Sequence, residues 1–373
     1  GSEAGMVEVE ESEVVEKGRV GPGQTIGIDF DAGRFFHDNE LKDLISGRRP
    51  YADWVGNITK LDSLIRSEAQ TDDPMTGEYL LRHQRTFGFT MEDMELILRP
   101  MVEEGKEATG SMGDDTPLAV LSDHYRGLHH FFRQAFSQVT NPPIDSLRER
   151  NVMTLKTRLG NLGNVLDADA SQCDLLQLES PVLLNAEFEA MREHMGETAA
   201  EIDATFPVDG GSGALRRALD RIRNEAEDAV RGGRTHLVLS DAAFGRDRVP
   251  IPMILATGAV HTHLVKEHLR TFTSLNVRAA ECLDVHYFAV LIGIGATTVN
   301  AYLAEETIAD RQRRGLSGDL DLGQCLAAYK NAIDQGLLKI MSKMGIGVIS
   351  SYRGGYCFEA VGLSRSLVAE FFP

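Results

Sequence analysis

From residue 118 onward the chain alternates short apolar runs with longer amphipathic stretches. "LAVLS" (118–122) precedes "HYRGLHHFFRQAFSQ", "SPVLL" (180–184) precedes "NAEFEAMREHM", and "ATFPV" precedes "SGALRRALDRIRNEAEDAVRGG". The rhythm continues with "THLVLS" (235–240) before "IPMILATGAVHTHLVKEHL", "TSLNVRA" before "DVHYFAVLIGIG", and "TTVNAY" before "LAEETIADRQRR". After a polar extension, "RRGLSGDLDLGQ", the apolar run "GIGVISS" (345–351) leads to "GGYCFEAVG". An apolar run bounded by turn residues reads as a buried strand, and apolar residues at a 3.6-residue period read as a helix face. Strands alternating with helices predict an α/β domain with a parallel sheet covered by helices. Seven or eight units suit a (β/α)8-barrel-like domain, the first expectation, with an open doubly wound sheet second. Periodicity does not choose between them.

The residues before 118 have a different texture. "MVEVEE" and "TIGIDF" alternate, "GRVGPGQ" and "DAG" are turn chemistry, and together they predict a short β-rich opening over residues 1–36. Residues 37–117 read as a helical linker region, with capped amphipathic turns in "NELKDLI" and "NITKLDSLI" and a surface loop at "QTDDPMTGE" (70–78). Thr90 with Asp93 three residues on is a capping-box-like helix start, followed by Met91, Met94, Ile97 and Leu98 at helical spacing. Pro100 is expected to end or kink that helix. Residues 118–373 form the barrel-like domain in this division.

Charge narrows the function classes. Lys and Arg number 38 against 56 Asp and Glu, a formal net charge of −18. Such a chain repels phosphate backbones and anionic lipid, so nucleic acid and membrane surfaces are not expected partners. The four cysteines, Cys173, Cys282, Cys325 and Cys357, are dispersed, form no CxxC pair, and suit reduced thiols of a cytoplasmic protein. No apolar run has a membrane-spanning length. The opening "GSEAGMVEVEESEVVEKG" has no signal-peptide h-region, and with Met6 internal it does not read as a natural start.

Five stretches are candidates for chemistry. In "GSMGDDTPLAV" (110–120), Ser111, Met112, Gly113, Asp114, Asp115 and Thr116 compose either a strongly specified turn or a loop offering hydroxyls to a small polar molecule. In "HTHLVKEH", His261 and His263 are two apart on an expected helix and point in different directions, so packed or capping histidines are expected there, with His268 beyond. "GIGATTVNAY" (293–302) and "GIGVISSYRGG" (345–355) have phosphate-loop composition without a GxGxxG or Walker pattern. From the second, Ser350, Ser351, Arg353, Gly354 and Gly355 assemble one candidate anion site, with Arg353 as charge and the glycine amides as cradle. Arg148, Arg150, Lys156 and Arg158 are a basic concentration that reads as a solvated helix face or a surface for an acidic neighbour.

"GKEATGSMGDDTPLAVLSDHYRGLHHFFRQAFSQVTNPPIDSLRERNVMTLKTRLG" resembles the central domain of the glutamate synthase large subunit. So do "LLQLESPVLLNAEF", "IDATFPVDGG", "LSDAAFGRDRVPIPMILATGAVHTHL" and "LLKIMSKMGIGVISSYRGG". The likeness runs nearly end to end in long blocks. It implies an enzyme that moves the amide nitrogen of glutamine, with reducing equivalents, onto 2-oxoglutarate to make glutamate. In that family an amidotransferase domain with an N-terminal catalytic cysteine releases ammonia, and a (β/α)8 domain carries FMN and an iron–sulfur cluster. A central domain without flavin spaces the two and helps enclose the ammonia tunnel.

The resemblance implies that residues 1–36 are the tail of the amidotransferase region and that the later residues are the central domain. It makes the amidotransferase and FMN domains the neighbours, and a small beta subunit a further partner. FMN, the cluster and NADPH or ferredoxin would belong to the parent enzyme, with no cofactor in this piece. Residue 1 is Gly rather than Cys, and no closely spaced cysteine triplet occurs, so no catalytic residue of the parent can be carried over. The loop from Ser111 to Thr116 is then expected at the tunnel wall or entrance. The alternative is an autonomous barrel enzyme with a phosphate or flavin site at residues 350–355.

Overall fold

The computed structural model describes residues 6–65, 74–110, 117–136, 144, 148–164 and 166–373, the side chain of Arg150 excepted. The chain divides into two compact units, Gly1–Asn57 and Ile58–Pro373.

In the first unit "TIGIDF" and the residues after "DAG" form an antiparallel hairpin, β1 (Gly27–Asp29) with β2 (Arg34–Phe36), in register Gly27 to Phe36 and Asp29 to Arg34. Asp29 Oδ1 accepts the Ala32 amide at 2.9 Å, and Gly33 takes the positive φ (59°) that closes the turn. The strand expected over "MVEVEE" does not form. Met6, Val7 and Val9 are exposed, so its alternation has no apolar surface to bury against, and only a 3-10 turn follows at Glu11–Glu13.

The second unit is an α/β domain around one parallel sheet. Its strands are β3 (Val182–Leu183), β4 (Ala199–Asp203), β5 (His236–Ser240), β6 (Ser274–Arg278) and β7 (Thr298–Asn300). They lie side by side in the order β3-β7-β6-β5-β4. Every pairing is parallel, with Leu237 opposite Leu275 and Val277 opposite Val299. Consecutive strands are neighbours from β4 to β7, and β3 closes onto the last strand rather than onto β4.

Each helix follows from its strand's sequel. The helices are α1 (Asn185–Met195), α2 (Ala214–Arg231), α3 (Met253–Lys266), α4 (Val285–Ile294), α5 (Tyr302–Arg313) and α6 (Leu322–Met344). In α2 the buried residues Ala218, Leu219, Ile222, Ala226 and Val230 make one stripe, and the arginines and acids face water. In α3 and α4 nearly every residue is buried, so these helices sit inside the core. Period-two alternation in β5 sends Leu237 and Leu239 into the main core with α3 and α4. Val238 joins a second cluster with Leu183, Phe188, Met191 and Leu178. A parallel sheet buried on both faces needs strands apolar at nearly every position, which "HLVLS" supplies.

Three expectations fail at the level of elements. Residues 118–122 form a 3-10 turn at Ala119–Leu121, not a strand, because Val120 and Leu121 stay largely exposed and have no sheet to enter. Residues 345–351 make a single parallel bridge from Val348 to Thr154 and then the short helix Ile349–Tyr352. "HHFFRQ" is a 3-10 turn and a strand (Phe132–Gln134) that pairs antiparallel with Phe358–Ala360, outside the main sheet. Among the described residues the main sheet therefore has five parallel strands where seven or eight were expected. Pro100 does not end its helix, and the distortion expected as the alternative falls in the turn before it. A π-helical stretch, Asp93–Leu98, leads directly into Arg99–Glu104, and the wider turn relieves the clash of the proline ring with the preceding turn. The capping box at its start forms as expected: Asp93 accepts the Thr90 amide at 2.9 Å and returns its own amide to Thr90 Oγ1 at 3.1 Å.

Candidate functional site

The strands β4 to β7 end on polar residues, all at the carboxyl edge of the sheet, where parallel α/β folds place their chemistry. Asp203 ends β4 and binds the Arg248 guanidinium, and its Oδ1 accepts the Thr205 hydroxyl at 2.7 Å. Asp241 follows β5, fully enclosed, and accepts the Ala280 amide at 2.9 Å; burial pushes its pKa up to about 7. Arg278 ends β6 with its guanidinium over the rings of Tyr302 (5.1 Å) and Phe188 (5.4 Å). Asn300 ends β7 and donates to Leu183 O and Asn185 Oδ1, both at 3.0 Å. The Asn185 amide in turn donates to Glu305, whose pKa burial raises to about 7.

Beside the end of β6 lies a cavity of about 250 Å3 lined from three segments far apart in sequence: 87–97, 125–130 and 281–287. Its inner wall is Glu281, Tyr287 and His129. Glu281 accepts the Met253 amide at 2.6 Å, and burial raises its pKa. Tyr287 is coupled electrostatically to Glu281, yet its hydroxyl meets hydrogen-bond geometry with no described partner. The His129 ring lies tilted against the Tyr287 ring with centroids 4.6 Å apart, and its Nδ1 is buried with no partner among the described residues. Burial, then the neighbouring His130, His286 and Arg126, hold His129 well below the usual histidine pKa, so it is neutral near pH 7.

Local sequence explains how His129 gets there. His286, on the first turn of α4, donates Nε2–H to His129 O (3.1 Å) and Phe132 O (3.0 Å), which pins the "GLHHF" turn to the helix. Gly127 leaves room for the folded-back ring: a Cβ there would sit 2.6 Å from His129 Cε1. Sequence reasoning missed this assembly, because "HYRGLHHFFRQ" reads as helix and none of its residues advertises a partner more than a hundred and fifty positions away.

The residues singled out from the sequence fall elsewhere. Ser111, Met112, Gly113, Asp114, Asp115 and Thr116 lie outside the described residues. Ser350 and Ser351 are exposed on the turn Ile349–Tyr352. The amides of Gly354 and Tyr356 donate to Ile292 O and Gly293 O at the carboxyl end of α4, and the Gly355 amide donates to Tyr352 O, each at 3.1 Å. The loop thus caps a helix carboxyl end, and an anion at its glycines would compete with these bonds. His261 is packed, as expected, and its Nδ1 accepts Arg270 Nε at 3.0 Å; burial and the two nearby arginines depress its pKa to about 3. His263 pairs with Glu227 at 2.7 Å, and Glu267 completes a group whose ligand atoms lie within 4.8 Å of one another. Arg231 binds both of those carboxylates, so they already have a cationic partner on the chain. Arg148, Lys156 and Arg158 are exposed, and Lys156 faces Glu179 at 3.5 Å. All four cysteines are free, Cys282 and Cys325 buried and the other two half-buried. Among the described residues no helix is long and apolar enough to cross a membrane.

Residues 82–364 match the glutamate synthase central domain family, and residues 1–54 match the class-II glutamine amidotransferases. The large chain of NADPH glutamate synthase from Azospirillum brasilense is 68% identical over 375 residues, covering 100% of this chain and 25% of that one. The NADPH enzyme's large chain from Bacillus subtilis is 39% identical, covering 100% of this chain and 24% of its own. Ferredoxin-dependent glutamate synthase 2 of Synechocystis is 38% identical over 100% of this chain and 25% of its own. This chain therefore spans about a quarter of the length of these curated relatives. Among solved structures, a mutant flavocytochrome b2 with pyruvate bound overlaps 40% of this chain and 35% of its own at 14% identity, with a TM-score of 0.30.

Proposed function

The chain belongs to the glutamate synthase family, and from that premise we propose that it is the non-catalytic central scaffold of such an enzyme. On this reading it spaces the glutamine-hydrolysing and FMN-bearing domains of the parent and helps enclose the route along which ammonia passes between them. The observation that carries the reading is the register of the matches. One chain joins an amidotransferase match over residues 1–54 to a central-domain match over residues 82–364, while the relatives are about four times longer. Glutamine hydrolysis and the reductive synthesis of glutamate from 2-oxoglutarate then belong to the parent, as do FMN, the iron–sulfur cluster, the NADPH or ferredoxin supply and a small beta subunit. The proposed setting is the cytoplasm.

The sheet supports a kinship with the flavin barrel of the parent. Its order runs sequentially from β4 to β7 and places β3 beside β7, an order found in a parallel barrel. Among the described residues β3 and β4 do not pair, and the sheet is open between them. The flavin or phosphate reading of residues 350–355 finds no such support, because the amides that would cradle a phosphate already bind helix carbonyls. Those residues do not fit the group, and no step is derived through it.

Ammonia is small and polar, so its conduit needs a few hydrogen-bonding groups and exclusion of bulk water rather than a tight site. We assign part of that wall to Ser111 and Thr116. In the intact parent, Thr116→Val is expected to leave glutaminase activity and ammonia-dependent glutamate synthesis in place while lowering the glutamate formed per glutamine hydrolysed. Unchanged stoichiometry would reduce the loop to a turn.

A further inference from the structure

The polar groups around the 250 Å3 cavity divide into those that have partners and those that do not. Asp93 accepts from the Thr90 amide and hydroxyl, and Asp284 accepts the Tyr287 amide at 2.8 Å as the cap of α4. Glu281 holds the Met253 amide, and burial favours its neutral form. Glu92 is exposed and hydrated on the rim. The acids are thus engaged, neutralised or in water.

Three groups are not. Tyr287 is 1% exposed, and its hydroxyl lies against the Glu281 carboxyl but meets full hydrogen-bond geometry with no described residue. His129 Nδ1 is buried with no partner among the described residues. Partly buried Arg126, also on the cavity wall, is in no ion pair among the described residues; its contact there is His130 Nδ1 at 3.5 Å, at the limit of hydrogen bonding. Native proteins rarely leave buried polar atoms unpaired, and such atoms facing a cavity mark where a ligand or ordered water belongs. What these groups lack is one anion opposite Arg126 and one hydrogen-bonding group, donor or acceptor, between Tyr287 and His129. Phe87, Phe89 and Ile97 line the space with apolar surface for the atoms between.

We propose that this cavity binds a small organic carboxylate with a second polar group at its far end, the carboxylate on Arg126 and the far group on the Tyr287 hydroxyl and His129 Nδ1. The volume lies just below the roughly 300–1,000 Å3 of pockets for drug-sized ligands, which sets the size at that of a dicarboxylic or amino acid. The inference stands on the cavity's own chemistry and goes beyond the scaffold reading.

The test is calorimetric titration of the full chain with succinate, L-glutamate and L-glutamine, and with methylammonium as the cation control. At least one carboxylate is expected to bind saturably at millimolar concentration, and methylammonium is not. Tyr287→Phe, which removes only the hydroxyl, and Arg126→Gln, which removes the guanidinium from the wall, are each expected to weaken that binding about tenfold while the unfolding transition stays that of the parent chain. Three results would overturn the proposal: no saturable binding of any carboxylate, which would leave a hydrated cavity only; binding indifferent to both substitutions, which would put the ligand elsewhere; or methylammonium binding more tightly than the acids.

Discussion

Arg270 shows how much a single side chain can do without announcing itself. Its Nε donates to His261, Nη1 to Thr273 O at 2.6 Å, and Nη2 to Gly295 O at 2.8 Å and Thr297 Oγ1 at 3.3 Å. One planar fork thereby ties the end of α3, the start of β6 and the turn between α4 and β7. Burial, then the charge of nearby Arg353, lowers its pKa. The sequence made His261 legible as a packed histidine, but "EHLRTFTS" gave no sign of the guanidinium that packs it. Lysine keeps the charge but offers three donors from one point and cannot reach acceptors spread around a plane. Arg270→Lys is therefore expected to strand at least one buried carbonyl and destabilise the unit by about 2–4 kcal/mol. Urea unfolding checks this, and a change below about 0.5 kcal/mol would show that the fork is dispensable.

At the scale of elements, strands β3, β5, β6 and β7 and helices α1 to α5 were legible because apolar runs and 3.6-residue stripes alternate cleanly there. Helix α6 was not, although it is the longest in the described chain. Its start lies inside a stretch that reads as polar extension. The signal was present at finer grain: Asp321 accepts the Gln324 amide at 2.8 Å, Gln324 returns to the Asp321 amide at 3.0 Å, and Gly345 ends the helix at φ 71°. The run at 118–122 failed for the opposite reason: local composition was right, but Val120 and Leu121 stay exposed on a 3-10 turn and pair with no strand among the described residues.

Gly336, within α6, marks where packing overrides propensity. A Cβ there would lie 2.4 and 2.6 Å from the two methyls of Val285, the first residue of α4. Alanine in a helix interior gains about 1 kcal/mol over glycine. Forcing a methyl into this contact costs about 1–3 kcal/mol, because α4 is buried along its length and has no direction in which to yield. Gly336→Ala should therefore lower stability despite its propensity, and adding Val285→Ala should recover part of the loss. A double-mutant cycle reads the coupling; additive effects would mean the helices do not meet as described.

For the molecule as a whole, the buried titratable groups oppose one another. Burial raises the pKa of Asp241 and Glu305 to about 7, Asp334 to about 6, and Glu281 without a stated value. Burial lowers His236 to about 4 and His261 to about 3, His129 well below its ordinary value, and His130 to a lesser degree. Between pH 5 and 6 Asp241 and Glu305 hold a proton in the folded state that they have lost in the unfolded chain, so each contributes a loss of stability as pH rises. His236 and His261 carry a proton only when unfolded in that window, so each contributes a gain. Two against two leaves a plateau in their summed contribution. Exposed acids with lowered pKa, such as Glu95 beside Arg311, act below the window. Asp241→Asn removes one falling contribution while its carbonyl can still accept the Ala280 amide. The plateau should then tilt, with stability rising by about 1.4 kcal/mol per pH unit between pH 5 and 6. Urea unfolding of both proteins at half-unit steps measures the two slopes. Equal slopes would mean that Asp241 is ionised in the fold and that its enclosure by the Ala280 amide and Tyr302 leaves its charge solvated after all.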